Sequence, residues 1–504
     1  MKERRMENKT PGEEQQSLTK KSKTSPKTKK KKAPSKNREF AVITYSFLAL
    51  FVCLMGYFSY FQFVKSEDFI DNPYNTRQEN FEQEVVRGQI LASSGEVLAE
   101  TITDSEGNDT RRYPYGSIFA HVVGYSTHGK TGIESQANFD LLRSSTFFLE
   151  KAGNEIQGEK SMGDNVITTL NYELQLRAYD ALGSYDGAVV VLEPATGKIL
   201  AMVSKPDFDP NTLAEDWDTL TAEGNTDAAL LNRATQGLYP PGSTFKIVTT
   251  LEYLSEHGDD SGYSYTCNGS YTVGNHTIHC YNNKSHGTQT LKQAFANSCN
   301  AAYSAMGLEL DIDKFGELCD SLLFNTSLPT DFESSKSSFV LQSTDGDASI
   351  MSTAFGQGKT LVTPFHMALL VSAIANDGVL MQPYVIDHTE SYDGAVQETT
   401  EPEEYGRLVS SENAAILQDY MSAVVESGTG QKLKGQNYEA SGKTGSAEFS
   451  TGSNSAHSWF VGYAHQEGKE DIAVAVLVED SGIGSEYAVP IAKEIFDSYY
   501  ENYQ

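Results

Sequence analysis

Apolar residues are spread unevenly along this chain. One run, FAVITYSFLALFVCLMGYFSYFQFV from Phe40 to Val64, holds 25 residues without a charge. At about 1.5 Å rise per residue, a helix of that length crosses a hydrocarbon core of roughly 30 Å. It is too long for the apolar stretch of a leader, and no small-residue cleavage site follows it. The pattern predicts a retained membrane anchor, and no second apolar run approaches its length.

The pattern then shortens and alternates. QILASSGEVLAET (Gln89–Thr101) reads as two half-apolar strands about a turn at Gly95, and SIFAHVVGYS (Ser117–Ser126) as another strand. Beyond Gly163 the elements become longer. VITTL (Val166–Leu170) is strand-like and YELQLRAYDAL (Tyr172–Leu182) has helical spacing. GAVVVLEPATGKILAMVS (Gly187–Ser204) reads as a hairpin around Pro194–Gly197. Two helices with start and stop signals follow, Thr363–Gly378 and Ser411–Gly430. Strand patterns return at Ser458–Ala464 and Ile472–Glu479, before a last amphipathic helix near Val489–Tyr499. Strands at both ends with helices between predict one α+β domain whose sheet is closed by both ends of the chain. The expected order is a tail (1–39), an anchor (40–64), a strand-containing pedestal domain (65–162) and the α+β domain (163–504).

Charge sharpens the topology. The tail carries net +9, against −29 for the whole chain of 504 residues, so the rest is strongly acidic at −38. Lys and Arg before the anchor, including Lys27–Lys32, place that end in the cytoplasm by the positive-inside rule and the large body outside. The tail can touch anionic lipid. An acidic body argues against nucleic acid. Five cysteines, one of them Cys53 inside the anchor, are too few for a disulfide scaffold.

Candidate chemistry lies in three short stretches. In YPPGSTFKI, Ser243 and Lys246 are three apart where a helix begins, so both face one side and the amine can reach the hydroxyl. A serine needs a base to become a nucleophile, and burial or nearby positive charge can lower a lysine enough to serve. By itself this stretch is an ordinary helix cap after a Pro-Pro-Gly turn. In NSCNAAY, Ser298 can relay a proton and Asn300 can hold an amide by donating and accepting. In SGKTGSAEF, Lys443 and Thr444 suit a carboxylate, Gly445 leaves a strand edge open, and the backbone N–H of Ser446 can join that of Ser243 in an oxyanion hole. Each is weak alone. The ordered set S-x-x-K, S-x-N and K-T-G is strong.

With GLYPPGSTFKI, NSCN, GQGKTLVTPFHMA (Gly356–Ala368) and ASGKTGSAE, the chain resembles class B penicillin-binding proteins, monofunctional peptidoglycan D,D-transpeptidases. Asn72–Glu100 and Tyr113–Tyr125 resemble that family's juxtamembrane pedestal, so the likeness runs over roughly residues 70–500. It implies a penicilloyl-serine-transferase-type fold, an antiparallel sheet with helices. It implies Ser243 attacking the penultimate D-Ala of a stem peptide, an acyl-enzyme resolved by a neighbouring stem's amine, and β-lactams acylating the same serine. It also implies a SEDS-family lipid II polymerase as partner. Ser446 stands where the family often has Thr and keeps the hydroxyl.

Rival readings are less well supported. No E-x-x-L-N, the usual deacylating glutamate of class A β-lactamases, lies between the first and third motifs, and no H-E-x-x-H marks a β-lactam sensor. About 100 pedestal residues leave little room for a glycosyltransferase. D,D-carboxypeptidase activity, with water as acceptor, and an idle scaffold remain as alternatives. Cys267, Cys280, His286 and Cys299 sit in a polar, loop-like segment. Cys267 and Cys280 could form a disulfide, or all four could close around structural zinc. The resemblance favours zinc, because some transpeptidases of this kind hold a metal in the loop between the first two motifs. His276 and His279 read as surface residues, Cys319 as core, and the aromatics of HSWFVGYA as packing.

Overall fold

The computed structural model describes residues 37–61, 85–145, 160–448 and 456–502. Nearly all of the basic tail, the end of the apolar run after Phe61 and residues 72–84 of the pedestal stretch lie outside them. Helix α1 (Asn37–Tyr60) covers the apolar run, and its segment Phe40–Tyr60 is long and apolar enough to cross a membrane.

After α1, strands β1 (Ile90–Leu91) and β2 (Val97–Thr103) fold about Gly95, whose φ of 97° permits the tight turn. Strand β3 (Asp109–Arg112) follows. The strand expected at Ser117–Ser126 is instead two short helical turns, Gly116–Phe119 and Ala120–Val123. The run Phe119–Gly124 is buried throughout, so it lacks the alternation that marks a half-buried strand. Beneath it Glu134 is fully buried between Arg87 and Arg111, each with a 2.7 Å bond to its carboxylate. Those guanidiniums hold Glu134 at a pKa of about 2 despite burial.

Strand β4 (Asn165–Thr168) precedes helix α2 (Tyr172–Leu182). Asn171 caps α2 by accepting from Leu174 N, and Leu174, Ala178 and Leu182 form its buried stripe. The predicted hairpin is β5 (Gly187–Leu192) and β6 (Ile199–Lys205). Helices α3 (Lys246–His257), α4 (Asn300–Gly307) and α5 (Pro364–Ala375) follow. Thr363 caps α5 and Pro364 opens it, as the signals predicted. Strands β7 (Ile386–Glu390) and β8 (Val396–Thr399) come next, then helix α6 (Ser411–Glu426), capped by Ser410. The chain closes with β9 (Glu439–Glu448), β10 (Ala456–His465), β11 (Ile472–Val478) and helix α7 (Ala488–Asn502).

Strands from both ends meet in an antiparallel five-stranded sheet, ordered β9-β10-β11-β5-β6. Val189 and Val191 of β5 face α2 and α7; Ala188, Val190 and Leu192 face the core that contains α5. Burial on both faces explains why these strands read as unbroken apolar runs. A second sheet, β8-β7-β4-β1-β2-β3, joins the pedestal strands to β7 and β8, contributed more than 270 residues later. VITTL therefore belongs to the pedestal-side sheet and not to the five-stranded one.

Candidate active site

Ser243 lies in a single 3-10 turn, Gly242–Phe245, which leads directly into α3, so the helix proper begins at Lys246. Two glycines allow the turn to dock. Gly242 donates to Gly356 O at 2.9 Å, and a Cβ on Gly356 would lie 1.7 Å from Gly242 O. A Cβ on Gly242 would meet Ser446 O at 2.7 Å. Close backbone approach thus sets the Ser243 turn against β9. Trp459 of β10 fixes the same turn from below by donating Nε1–H to Pro240 O at 3.1 Å. Sequence reasoning read this tryptophan as packing only. Its indole N–H, a buried donor that must find a partner, was the available signal.

Lys246 is completely buried. Its Nζ lies 3.0 Å from Ser243 Oγ, 2.8 Å from Ser298 O, 3.1 Å from Ser298 Oγ and 2.8 Å from Asn300 Oδ1. An ammonium has only three protons to give. A neutral amine likewise makes three bonds, and one arrangement suits catalysis: its two N–H bonds serve Ser298 O and Asn300 Oδ1, which can only accept, and its lone pair accepts the Ser243 hydroxyl proton, with Ser298 Oγ at the rim of the set. Burial supports this, bringing the lysine down to about 7 although Cys299 and Cys280 nearby favour its charge.

Ser298 holds a left-handed backbone, φ 55°, an uncommon conformation for a residue with a side chain. That conformation ends one short helix, and Cys299 then caps α4, with its sulfur accepting from Ala302 N. Ser298 Oγ stands between two lysines, 3.1 Å from Lys246 Nζ and 3.0 Å from Lys443 Nζ. Lys443 is also fully buried, and burial followed by the charge of Lys246 pushes its pKa well down. Thr444 Oγ1 is 2.5 Å from Thr429 Oγ1. Gly445 also leaves room for packing on the face of β9, since a Cβ there would sit 3.0 Å from Thr244 and Trp459 side-chain atoms. Ser446 Oγ accepts from Gly484 N.

Beside this cluster, strands Tyr265–Cys267 and Gly287–Gln289 pair, and Ser270–Val273 pairs with His276–His279. They bring Cys267, Cys280, His286 and Cys299 together. Cys267 Sγ is 3.6 Å from Cys280 Sγ and 3.4 Å from His286 Nδ1; Cys280 Sγ is 3.7 Å from Cys299 Sγ. The thiols are free, so the expected alternative of a Cys267–Cys280 disulfide is not what the structure holds. His276 and His279 are exposed and Cys319 is buried, as read from the sequence. Asn300 Nδ2 donates to His279 O at 3.1 Å, a direct link from this segment to the cluster.

A serine and a buried lysine on one helix start, a second serine between two lysines and an edge strand on an antiparallel sheet form the kind of site a serine acyl-transferase needs. Comparison with known proteins gives the family. The model of the penicillin-binding protein transpeptidase domain matches residues 187–498, and that of the penicillin-binding protein A dimerisation domain matches residues 87–166. The chain is similar to the peptidoglycan D,D-transpeptidase PbpA of Mycolicibacterium smegmatis, 32% identical over 91% of this chain and 98% of that one. Among solved structures it is similar to a D,D-transpeptidase domain from Eggerthella lenta (TM-score 0.74, 31% identical, covering 83% of this chain and 99% of that one). It is also similar to penicillin-binding protein A of M. tuberculosis in its ceftriaxone acyl-enzyme complex (TM-score 0.75, 29% identical, 84% and 99% covered). The chain belongs to the penicillin-binding protein transpeptidase family. It is a serine-type D,D-transpeptidase, and α1 fits its single-pass anchor.

Proposed function

We propose that Ser243 is the nucleophile and Lys246 its base. Ser243 Oγ attacks the penultimate D-Ala carbonyl of a peptidoglycan stem peptide as Lys246 takes its proton. The carbon–nitrogen bond to terminal D-Ala breaks, and the proton passes through Ser298 Oγ to the leaving amine. The amine of a neighbouring stem peptide then attacks the ester, and its proton returns to free Ser243. Backbone N–H groups of Ser243 and Ser446 receive the oxyanion. Asn300 holds the donor amide. Lys443 and Thr444 receive the terminal carboxylate, whose charge offsets the burial that lowers the Lys443 pKa. Gly445 lets the Ser243 turn reach β9. β-Lactams, strained amides, acylate the same oxygen.

The observation that carries this reading is the fully buried Lys246 Nζ, 3.0 Å from Ser243 Oγ and 3.1 Å from Ser298 Oγ, where a neutral amine can take the Ser243 proton and pass it on. The experiment is a transfer assay with a stem-peptide thioester and a D-amino acid acceptor. Transfer that exceeds hydrolysis and vanishes in Ser243→Ala supports the transpeptidase reading. Hydrolysis alone would make the enzyme a D,D-carboxypeptidase.

Zinc is the cofactor the remaining donors fit. A tetrahedral site with Zn–S near 2.3 Å separates its sulfurs by about 3.8 Å, close to the 3.6 and 3.7 Å between the thiols. Backbone N–H groups of Gly269, Ala301 and Ala302 point at the three sulfurs, as suits thiolates. Bound there by Cys267, Cys280, His286 and Cys299, zinc would brace the fold and take no part in acyl transfer.

The basic tail supports a cytoplasmic N-terminus and an external body. The two family models support a pedestal (65–162) and a transpeptidase domain (163–504) after the anchor (40–64). Class B membership favours a SEDS-family lipid II polymerase as the membrane partner. Protease added to protoplasts tests the orientation: removal of the body with the tail spared is the expected pattern, and the reverse would contradict it.

A further inference from the structure

The outer edge of β9 has an occupant of its own. Gln357 follows Gly356, the residue that docks the Ser243 turn. With its amide turned to satisfy both partners, Gln357 Nε2 donates to Glu448 O and Oε1 accepts from Glu448 N, each at 3.2 Å. Those are the two bonds a neighbouring strand would make with one residue of an edge. Polar backbone groups alternate sides along a strand, so Ser446, two residues earlier, presents its N–H and C=O to the same edge. With the amide turned over, Gln357 Nε2 reaches Ser446 O at 3.4 Å. The β10 side of β9 is fully paired from Glu439 to Glu448, so the Gln357 side is where an extended ligand can add.

We propose that Gln357 is the end-stop of the substrate-pairing edge, a specificity-determining residue that sets how far an extended acyl chain can pair along β9 beyond Ser446. The side chain imitates one residue of a neighbouring strand. A donor that runs on past Ser446 must displace it and replace its two bonds to Glu448; a compact donor need not. The inference rests on the reading that the donor lies along β9 with its carbonyl at Ser243.

Two penicillins test it, one with a small acyl side chain and one with a long, peptide-like acyl chain carrying several amides. Second-order acylation rates are measured for the full chain in detergent, as wild type, Gln357→Ala and Gln357→Asn. The asparagine keeps the amide but is one methylene short of Glu448, so it serves if the alanine variant folds poorly. The ratio of long-chain to small-chain rates should rise about fivefold in either variant, the scale of one net hydrogen bond. The Glu448 amide should exchange with deuterium faster in the free variants and regain protection on acylation by the long probe. An unchanged ratio, or equal slowing of both probes with a lower melting temperature, would overturn the proposal and leave Gln357 a packing residue. A wild type labelled at Ser243 by neither probe would overturn the reading of the nucleophile, and this inference with it.

Discussion

Lys246 has a folded pKa near 7 against an ordinary 10.5, and its base form is the neutral amine. The sign follows. Above about pH 7 the amine is free and acylation should reach a plateau; below it the rate should fall about tenfold per pH unit. Stopped-flow acylation by a chromogenic β-lactam measures this, and a flat profile between about pH 5 and 8 would remove Lys246 from the role of base. Trp459 gives a second prediction at this scale. Trp459→Phe keeps most of the buried ring but loses the N–H to Pro240 O. One net hydrogen bond, about 1 kcal/mol, then no longer holds the Ser243 turn. The acylation step should slow by roughly five- to tenfold while the pre-covalent dissociation constant stays put. A change in binding alone would show that Trp459 does not position the nucleophile.

At the scale of elements, the proposed catalytic groups come from a helix start, a helix cap and a strand. Each stretch was legible in the sequence because its chemistry is local: a Pro-Pro-Gly stop before Ser243, a short polar cap before α4, a Lys-Thr-Gly strand. The long helices and the five-stranded sheet were legible for the same reason, since caps, glycine stops and apolar runs are written in adjacent residues. What the sequence does not write is the partner across a gap. Gly445 read as leaving a strand edge open, and nothing adjacent announced that its missing side chain also makes room for Thr244 and Trp459 on the face of β9. The run Ser117–Ser126 read as a strand, because uniform burial erases the difference between periods of two and 3.6. Gln357 lies in a stretch that carried the family likeness, but its pairing had no readable signal, because its partner lies 91 residues away. The cysteine loop adds a prediction at this scale. Cys299 caps α4 between Ser298 and Asn300, so a structural zinc on its thiolate would hold the second motif in place. Chelation should lower the melting temperature and slow acylation together, and Cys280→Ser should lose stoichiometric zinc. Protein free of metal that acylates at the full rate would contradict the brace.

Over the whole molecule, the pedestal and the catalytic half share one sheet. Strands β7 and β8 lie beyond β4 in the order that carries β1, β2 and β3. A chain begun at residue 163 would keep β4 but leave its β1-facing edge unpaired and exposed, a template for aggregation. It should express poorly or associate, whereas one begun near residue 85 should stay monodisperse by light scattering; equal behaviour of the two would show that the shared sheet does not bind the halves. The central claim, that this anchored acidic body is a transpeptidase working through Ser243, has a direct test. The intact mass of the purified protein is measured before and after incubation with penicillin G, in wild type and Ser243→Ala. The account predicts one penicilloyl adduct per wild-type chain, located on the peptide containing Ser243, and none on the variant. An unlabelled wild type that is folded by circular dichroism, or an adduct that persists in Ser243→Ala, would contradict it.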